Sequence, residues 1–293
     1  AGKDPIMTLQ ALQGERYLGG ILAIANHLSE LSNSINVMSY LGEDRKHERY
    51  ILENINDNIE FNAISKSQSP TIVKKRYLDS EKNSKIIGVY NINDADINKK
   101  EEKDFISLLQ KNIKKADVVI IADYGHGLLN KQVINYIIKN AEYLCVNTQL
   151  NSANIGFHTI SKYHKVDYVC MHEGELRHDF RSRYRSTEDL TKDLYDRVKA
   201  KMVTVTQGKR GAICYNFEQG FEKCPAFANK IVDKVGAGDT LYAFTSLALT
   251  VGMPTDLAIL FGSLAATETV ATMGNSKSLN KNTILKMIET VFK

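Results

Sequence analysis

From about residue 100 onward, short apolar runs rich in β-branched residues alternate with stretches of helical spacing, and this alternation most narrows what the chain can fold into. Strand, helix and next strand close compactly as a parallel sheet with helices on its faces. Phe105, Leu108, Leu109 and Ile113 mark one helix face, and DVVIIAD (117–123) then reads as a buried strand. Val133, Ile134, Ile137 and Ile138 mark the next helix, followed by strands at YLCVN (143–147) and VDYVCM (166–171). A helix through Leu190, Leu194 and Val198 and a strand at KMVTVT (201–206) continue the pattern. Upstream, GGILAIANHLSEL (19–31) reads as a helix opened by two glycines, INVMSYLG (35–42) as a strand and 44–57 as a polar helix. Residues 60–94 differ: FNAISKSQ, TIVKKRYLD and SKIIGVYNI are three short strand-like segments that could form a small sheet projecting from the rest.

The 293 residues are ample for a large buried core, and 43% hydrophobic with 25% charged residues is the balance of a globular domain. A net charge of +4 is too small to suggest a nucleic-acid footprint, and the Tyr and Phe residues lie in apolar runs instead of among basic ones, so a nucleic-acid partner is not expected. Most of the excess lies between Lys66 and Asp94, which reads either as a solvated face or as a phosphate-facing one. Cys145, Cys170, Cys214 and Cys224 stand far apart without zinc-ligand spacing and read as buried thiols of a reducing compartment. No run approaches the about 18 apolar residues of a membrane span, so a cytoplasmic protein with no membrane partner is expected. The chain opens without an obvious first strand, as a fragment of something longer would.

The chemistry concentrates in IVDKVGAGDTLYAFTSLALTVGM (231–253), read as a short apolar strand, a tight turn at Gly236-Ala237-Gly238 and a long helix. Small residues let backbone N–H groups approach a ligand closely, and at a helix N-terminus they make an anion cradle. Asp239 in the first helical turn is either a cap and dipole partner or, beside such a cradle, a general base for a hydroxyl attacking a phosphoryl group. The turn lacks the Lys-Ser/Thr pair of a Walker loop and is not GxGxxG.

DKVGAGDT (233–240) with its following helix resembles the second motif of the ribokinase-like, PfkB-type carbohydrate kinases. Gly19-Gly20 is similar to their first motif, 60–94 to their lid and TQGKRGA (206–212) to a segment lining their nucleotide site. VVIIADYGHGLL (118–129) resembles a stretch of the heptose 7-phosphate kinase branch. The resemblance implies ATP and Mg²⁺ as cofactors, Asp239 as the base and the amides of Gly236, Ala237 and Gly238 as the anion hole. It places Thr206, Gly208, Gly211, Gly274 and Asn275 beside ATP, Gly19 and Gly20 near the sugar, and Glu175 at the metal through water. Without the resemblance, Glu175 is a helix-turn carboxylate.

The sequence also departs from that family. Ala23 stands where a sugar-binding Asn is usual, His172 replaces the Asn of Asn-x-x-Glu, and VNTQ (146–149) stands for the Asp-Pro-Lys of heptose kinases. Lys234-Val235 replaces a commoner pair, and the family's first strand is missing. Asp123, ending a buried strand, suits either a substrate contact or a turn cap. His126 reads as an exposed turn residue, and Arg177, Arg181, Arg183 and Arg185 as a solvated or interface face. Lys74 and Arg76, two apart on a strand, share a face that could grip a substrate phosphate.

The expected fold is α/β: a three-layer α/β/α core with a mostly parallel central sheet and a small β lid. Residues 1–18 and 60–94 would form the lid and connecting segments, and 19–59 and 95–293 the ATP- and substrate-binding core. The expected function is ATP-dependent phosphorylation of a sugar or sugar phosphate of heptose type, with a homodimer through the lid implied by resemblance. A regulatory module that binds without turnover and a nucleoside-type kinase remain open.

Overall fold

A computed structural model describes residues 8, 10, 12–81, 84–151, 154–228, 230–274, 276 and 278–292. Its central sheet has six strands. Four run parallel, β5 (Val119–Asp123), β6 (Leu144–Thr148), β7 (Tyr168–His172) and β8 (Met202–Thr206), and an antiparallel hairpin, β9 (Ala212–Asn216) and β10 (Gly220–Cys224), extends the β8 edge.

Alternation along these strands creates the three layers, because successive side chains point to opposite faces. Ile121, Val146, Val169, Met171, Val203 and Val205 enter one core with helices α3 (Lys99–Asn112), α4 (Lys131–Asn140), α5 (Glu173–Asp179) and α6 (Thr187–Val198). Their neighbours Cys145, Tyr168, Cys170, Met202 and Cys214 enter the other, with α1 (Ile21–Leu28), α7 (Ala237–Thr250), α8 (Thr255–Val270) and α9 (Lys281–Val291). All four cysteines are free and buried in this second core, as the sequence reading expected of them, and burial raises their thiol pKa values, so they behave as small apolar groups. Helix starts follow local chemistry: Asn98 and Glu101 form a capping box on α3, while Asn130 and Ser186 cap α4 and α6.

Two smaller sheets flank this core. β1 (Ile35–Gly42) pairs in parallel with β2 (Ile59–Lys66), with α2 (Glu48–Asn54) between them in sequence, and β3 (Val73–Leu78) pairs antiparallel with β4 (Lys85–Asn91). Of the three segments read as projecting together, FNAISKSQ thus lies largely in β2, against β1, and only the other two pair with each other.

The strand expected ahead of the glycine turn is not formed. Residues 231–235 carry no strand, and the N–H groups of Val232 and Asp233 go to the Val270 carbonyl at the end of α8 (2.8 and 3.3 Å). Helix α7 is fixed at the sheet by Tyr242, fully buried, whose hydroxyl donates to the Ile121 carbonyl of β5 (2.9 Å). Among the described residues, no helix is long and apolar enough to cross a membrane.

Candidate active site

The parallel strands end together, Asp123 beside Thr148 and His172 beside Thr206, and the C-terminal edge of an open α/β sheet is where ligand groups gather. The N-terminus of α7 returns to this edge. Gly236 makes the entry in a left-handed conformation (φ 85°), which would cost a side-chain-bearing residue about 1–2 kcal/mol. A Cβ on Gly238 would meet nothing within 4 Å, and no side chain caps the helix start, so its amides border open space. Ala237 is the exception, its N–H turned back to the Lys234 carbonyl (3.4 Å).

Asp239, half-buried in the first turn of α7, accepts a hydrogen bond on Oδ1 from the Gln149 amide, which directly follows β6. Burial pushes its carboxyl up to about 6, and Gln149, Tyr124 and Lys74 only partly offset the effect. Two sequence candidates meet it here. The Lys74 ammonium lies 5.4 Å from the Tyr124 ring centre, close enough to favour the charged Asp239. Gly20 (φ 56°) packs on the same ring, since a Cβ there would come 3.1 Å from Tyr124 Cε2. Gly19 is exposed with open space around it, and Arg76 is exposed, its guanidinium 5.8 Å from the Tyr90 ring centre within the hairpin.

Asp123 adopts the turn-capping arrangement. Its carboxylate takes the Gly125 N–H (3.0 Å), the Tyr163 hydroxyl (2.6 Å) and the Lys162 ammonium (2.7 Å), and it lines a cavity of about 330 Å³ with Asp94, Asp96, His158 and Lys162. His126, expected to be exposed, is buried: its Nδ1 meets Asp94 (2.7 Å) and its ring stacks beside Tyr124. The flanking glycines explain the correction, because their positive φ angles fold the loop inward, and a Cβ on Gly127 would overlap the Ala95 carbonyl at 1.9 Å.

At the other end of the edge, Thr206 closes β8 and Gly208 (φ 59°) and Gly211 (φ 85°) shape the turn into β9. Glu173 braces this turn by accepting from Gln207 (3.3 Å) and Arg210 while also holding Arg177 and Thr187, so Arg177 is a scaffold residue and not part of a solvated face. Burial alone would raise the Glu173 carboxyl, but these donors outweigh it and hold it at about 2. Gly274 donates its N–H to Asp233 (3.2 Å), and Asn275 lies outside the described residues.

His172 caps α5 as the usual Asn would, its Nδ1 accepting from the Gly174 N–H (3.0 Å). Both oxygens of Glu175 are engaged, one by the His172 N–H (2.7 Å) and one by the Leu150 N–H (3.1 Å), and burial pushes its carboxyl up to about 7. Among the described residues, no three His, Cys, Asp or Glu side chains cluster as a metal cage. This donor set fits Mg²⁺, which keeps several waters and needs few protein ligands when it arrives on phosphate oxygens.

Sequence reasoning did not single out Gln149 or Tyr124. Their signal was positional, since each directly follows a strand at the edge where the anion-binding turn arrives.

Comparison with known proteins agrees with this layout. The chain is 26% identical over 277 residues to the bifunctional protein HldE of Aliarcobacter butzleri, covering 93% of this chain and 56% of that protein. It is 26% identical to HldE of Helicobacter pylori strain G27, over 93% and 58% respectively. It thus spans little more than half the length of these relatives. The fold matches phosphofructokinase-2 from Escherichia coli in complex with fructose-6-phosphate, with a TM-score of 0.75, 15% identity and coverage of 94% and 88%. Arabidopsis thaliana ribokinase complexed with ribose and ATP matches with a TM-score of 0.71, 18% identity and coverage of 96% and 91%. The sequence profile described as pfkB family carbohydrate kinase matches residues 6–282, and the chain belongs to that family.

Proposed function

We propose that the chain transfers the γ-phosphoryl group of ATP to a hydroxyl of a sugar or sugar phosphate, with a heptose phosphate as the leading candidate. The observation that carries this reading is Asp239: a half-buried carboxyl raised to about 6, at the open N-terminus of α7, with Lys74 and Tyr124 beside it and no arginine among the described residues neutralising it. At pH 7 such a group is mostly ionised yet basic enough to take a proton.

Asp239 accepts the proton of the substrate hydroxyl as that oxygen attacks the γ-phosphorus in line, and the bond to the departing ADP oxygen breaks. Amides of the 236–238 turn face the oxygens of the transferring group, where preorganised donors act most strongly. Mg²⁺ bound to the ATP phosphates would neutralise charge there, held near Glu175 through water. The loops at Thr206, Gly208, Gly211 and Gly274 border the nucleotide, while Gly19, Gly20 and Lys74 border the sugar. The hairpin β3–β4 closes over the site as a lid and keeps out water that would hydrolyse ATP. Arg76 and Asp123, expected at the substrate, act from a distance: Arg76 through the lid's shape and Asp123 by setting the turn that carries Tyr124.

A second reading, a module that binds without turnover, draws support from the Gln149 amide already occupying Asp239 Oδ1. Coupled ADP release against sugars, sugar phosphates and nucleosides separates the readings. Sugar-dependent ADP release is expected. A response to nucleosides alone would move the chain to that kinase type, and ATP binding by calorimetry without release would favour the module.

A further inference from the structure

His126 is more tightly placed than any role so far explains. Its carbonyl accepts from the Lys66 ammonium (3.1 Å), its Nδ1 meets Asp94 Oδ1 (2.7 Å) and its ring stacks beside Tyr124 at 6.3 Å with 17° between planes. The glycines on either side lock the loop, as a Cβ on Gly125 would come 2.4 Å from Asn154 Nδ2. The ring is held at three points, yet its remaining polar atom, Nε2, is buried without a hydrogen-bond partner among the described residues. Buried polar atoms are almost always paired, so one held open on a rigid ring awaits a ligand.

The chemistry of that ligand follows from the pairing. A carboxylate only accepts, so Nδ1 carries the proton toward Asp94, and in a neutral ring Nε2 is then a pure acceptor. Burial lowers the His126 pKa, the Asp94 hydrogen bond opposes this, and the nearby Lys74 ammonium lowers it further, which keeps the ring neutral at pH 7. A phosphate dianion has no hydrogen to donate to such an atom, whereas a hydroxyl does. The ring also belongs to the same group as the base: Lys74 and Tyr124, its neighbours, are the residues beside Asp239.

We propose that His126 is a specificity-determining residue whose Nε2 accepts a hydrogen bond from a sugar hydroxyl other than the one phosphorylated. The proposal rests on the preceding reading in taking the ligand to be a sugar, and it does not require turnover. His126 discriminates a substrate bearing that hydroxyl from the deoxy analogue, because the analogue leaves Nε2 buried and unpaired.

Calorimetry with fructose 6-phosphate, ribose and a heptose 7-phosphate as probes tests it on the wild-type protein, followed by single-deoxy analogues of the tightest binder. One deoxy position is expected to weaken binding roughly 10- to 100-fold in the wild type. The same deletion should cost nothing further in His126→Ala, with ATP affinity unchanged. Deoxy analogues that all bind the wild type within twofold would overturn the inference without reference to any variant. An equal loss in wild type and His126→Ala would do the same, and if none of the three probes binds, the inference falls with the sugar site. The expected pattern of binding without ADP release would instead overturn the kinase reading alone.

Discussion

The Lys85 ammonium, at the start of lid strand β4, lies 2.7 Å from the carboxylate of Asp233, three residues ahead of Gly236. The same carboxylate receives the N–H groups of Val235 (3.2 Å) and Gly274 (3.2 Å), so one buried side chain joins the lid, the glycine turn and the loop after α8. Burial pushes the Asp233 carboxyl up, but Lys85 and the two amides together hold it below its usual range. Replacing Lys85 by Met removes the lid's hold and leaves the other two contacts in place. The expected result is a rise in sugar KM of about 5- to 10-fold and more ATP hydrolysis without sugar, read as background ADP release.

Asp239 sets the acid limb of activity. Its carboxyl is raised to about 6, so the base is lost as pH falls through that value, and kcat/KM should drop below about pH 6. Glu175, pushed up to about 7, titrates in the same window, so the profile is measured in Glu175→Gln as well. Gln149→Lys puts a cation where the amide now donates to Asp239 and should shift the limb to lower pH.

The same residue limits stability. A carboxyl whose folded pKa is raised disfavours folding once it ionises, that is, above its unfolded value near 3.9. Asp239→Asn should therefore raise the melting temperature at pH 7 and leave it nearly unchanged at pH 3, where the wild-type carboxyl is also neutral. Thermal melts at the two pH values check the difference.

Gly211 tolerates no side chain. Its φ is 85°, and a Cβ there would stand 2.0 Å from the Cys224 carbonyl oxygen, so alanine must push β10 away from the turn. Gly211→Ala should destabilise the protein by about 2 kcal/mol or more in a denaturant titration and weaken ATP binding together with it.

What could be read from the sequence was what local pattern determines. The buried strands of the sheet, the helix faces from Phe105 to Val198 and the turn at 236–238 announced themselves through period and small residues. Readings that depended on distant partners failed. IVDKV looks like a strand, but its N–H groups belong to the Val270 carbonyl at the far end of α8 and not to a neighbouring strand. His126 looks like a turn residue until Asp94 and the approach of Ala95 to Gly127 draw it inward. Gln149 reads only as a departure from Asp-Pro-Lys, because nothing local reveals that Asp239, 90 positions later, will sit against it.

Asp239→Asn, assayed for sugar-dependent ADP release with ATP affinity followed by calorimetry, is the most direct measurement. The loss of a general base should lower turnover roughly 10²–10⁴-fold while ATP still binds as in the wild type. Unchanged turnover at unchanged ATP affinity would show that phosphoryl transfer here does not pass through this carboxylate.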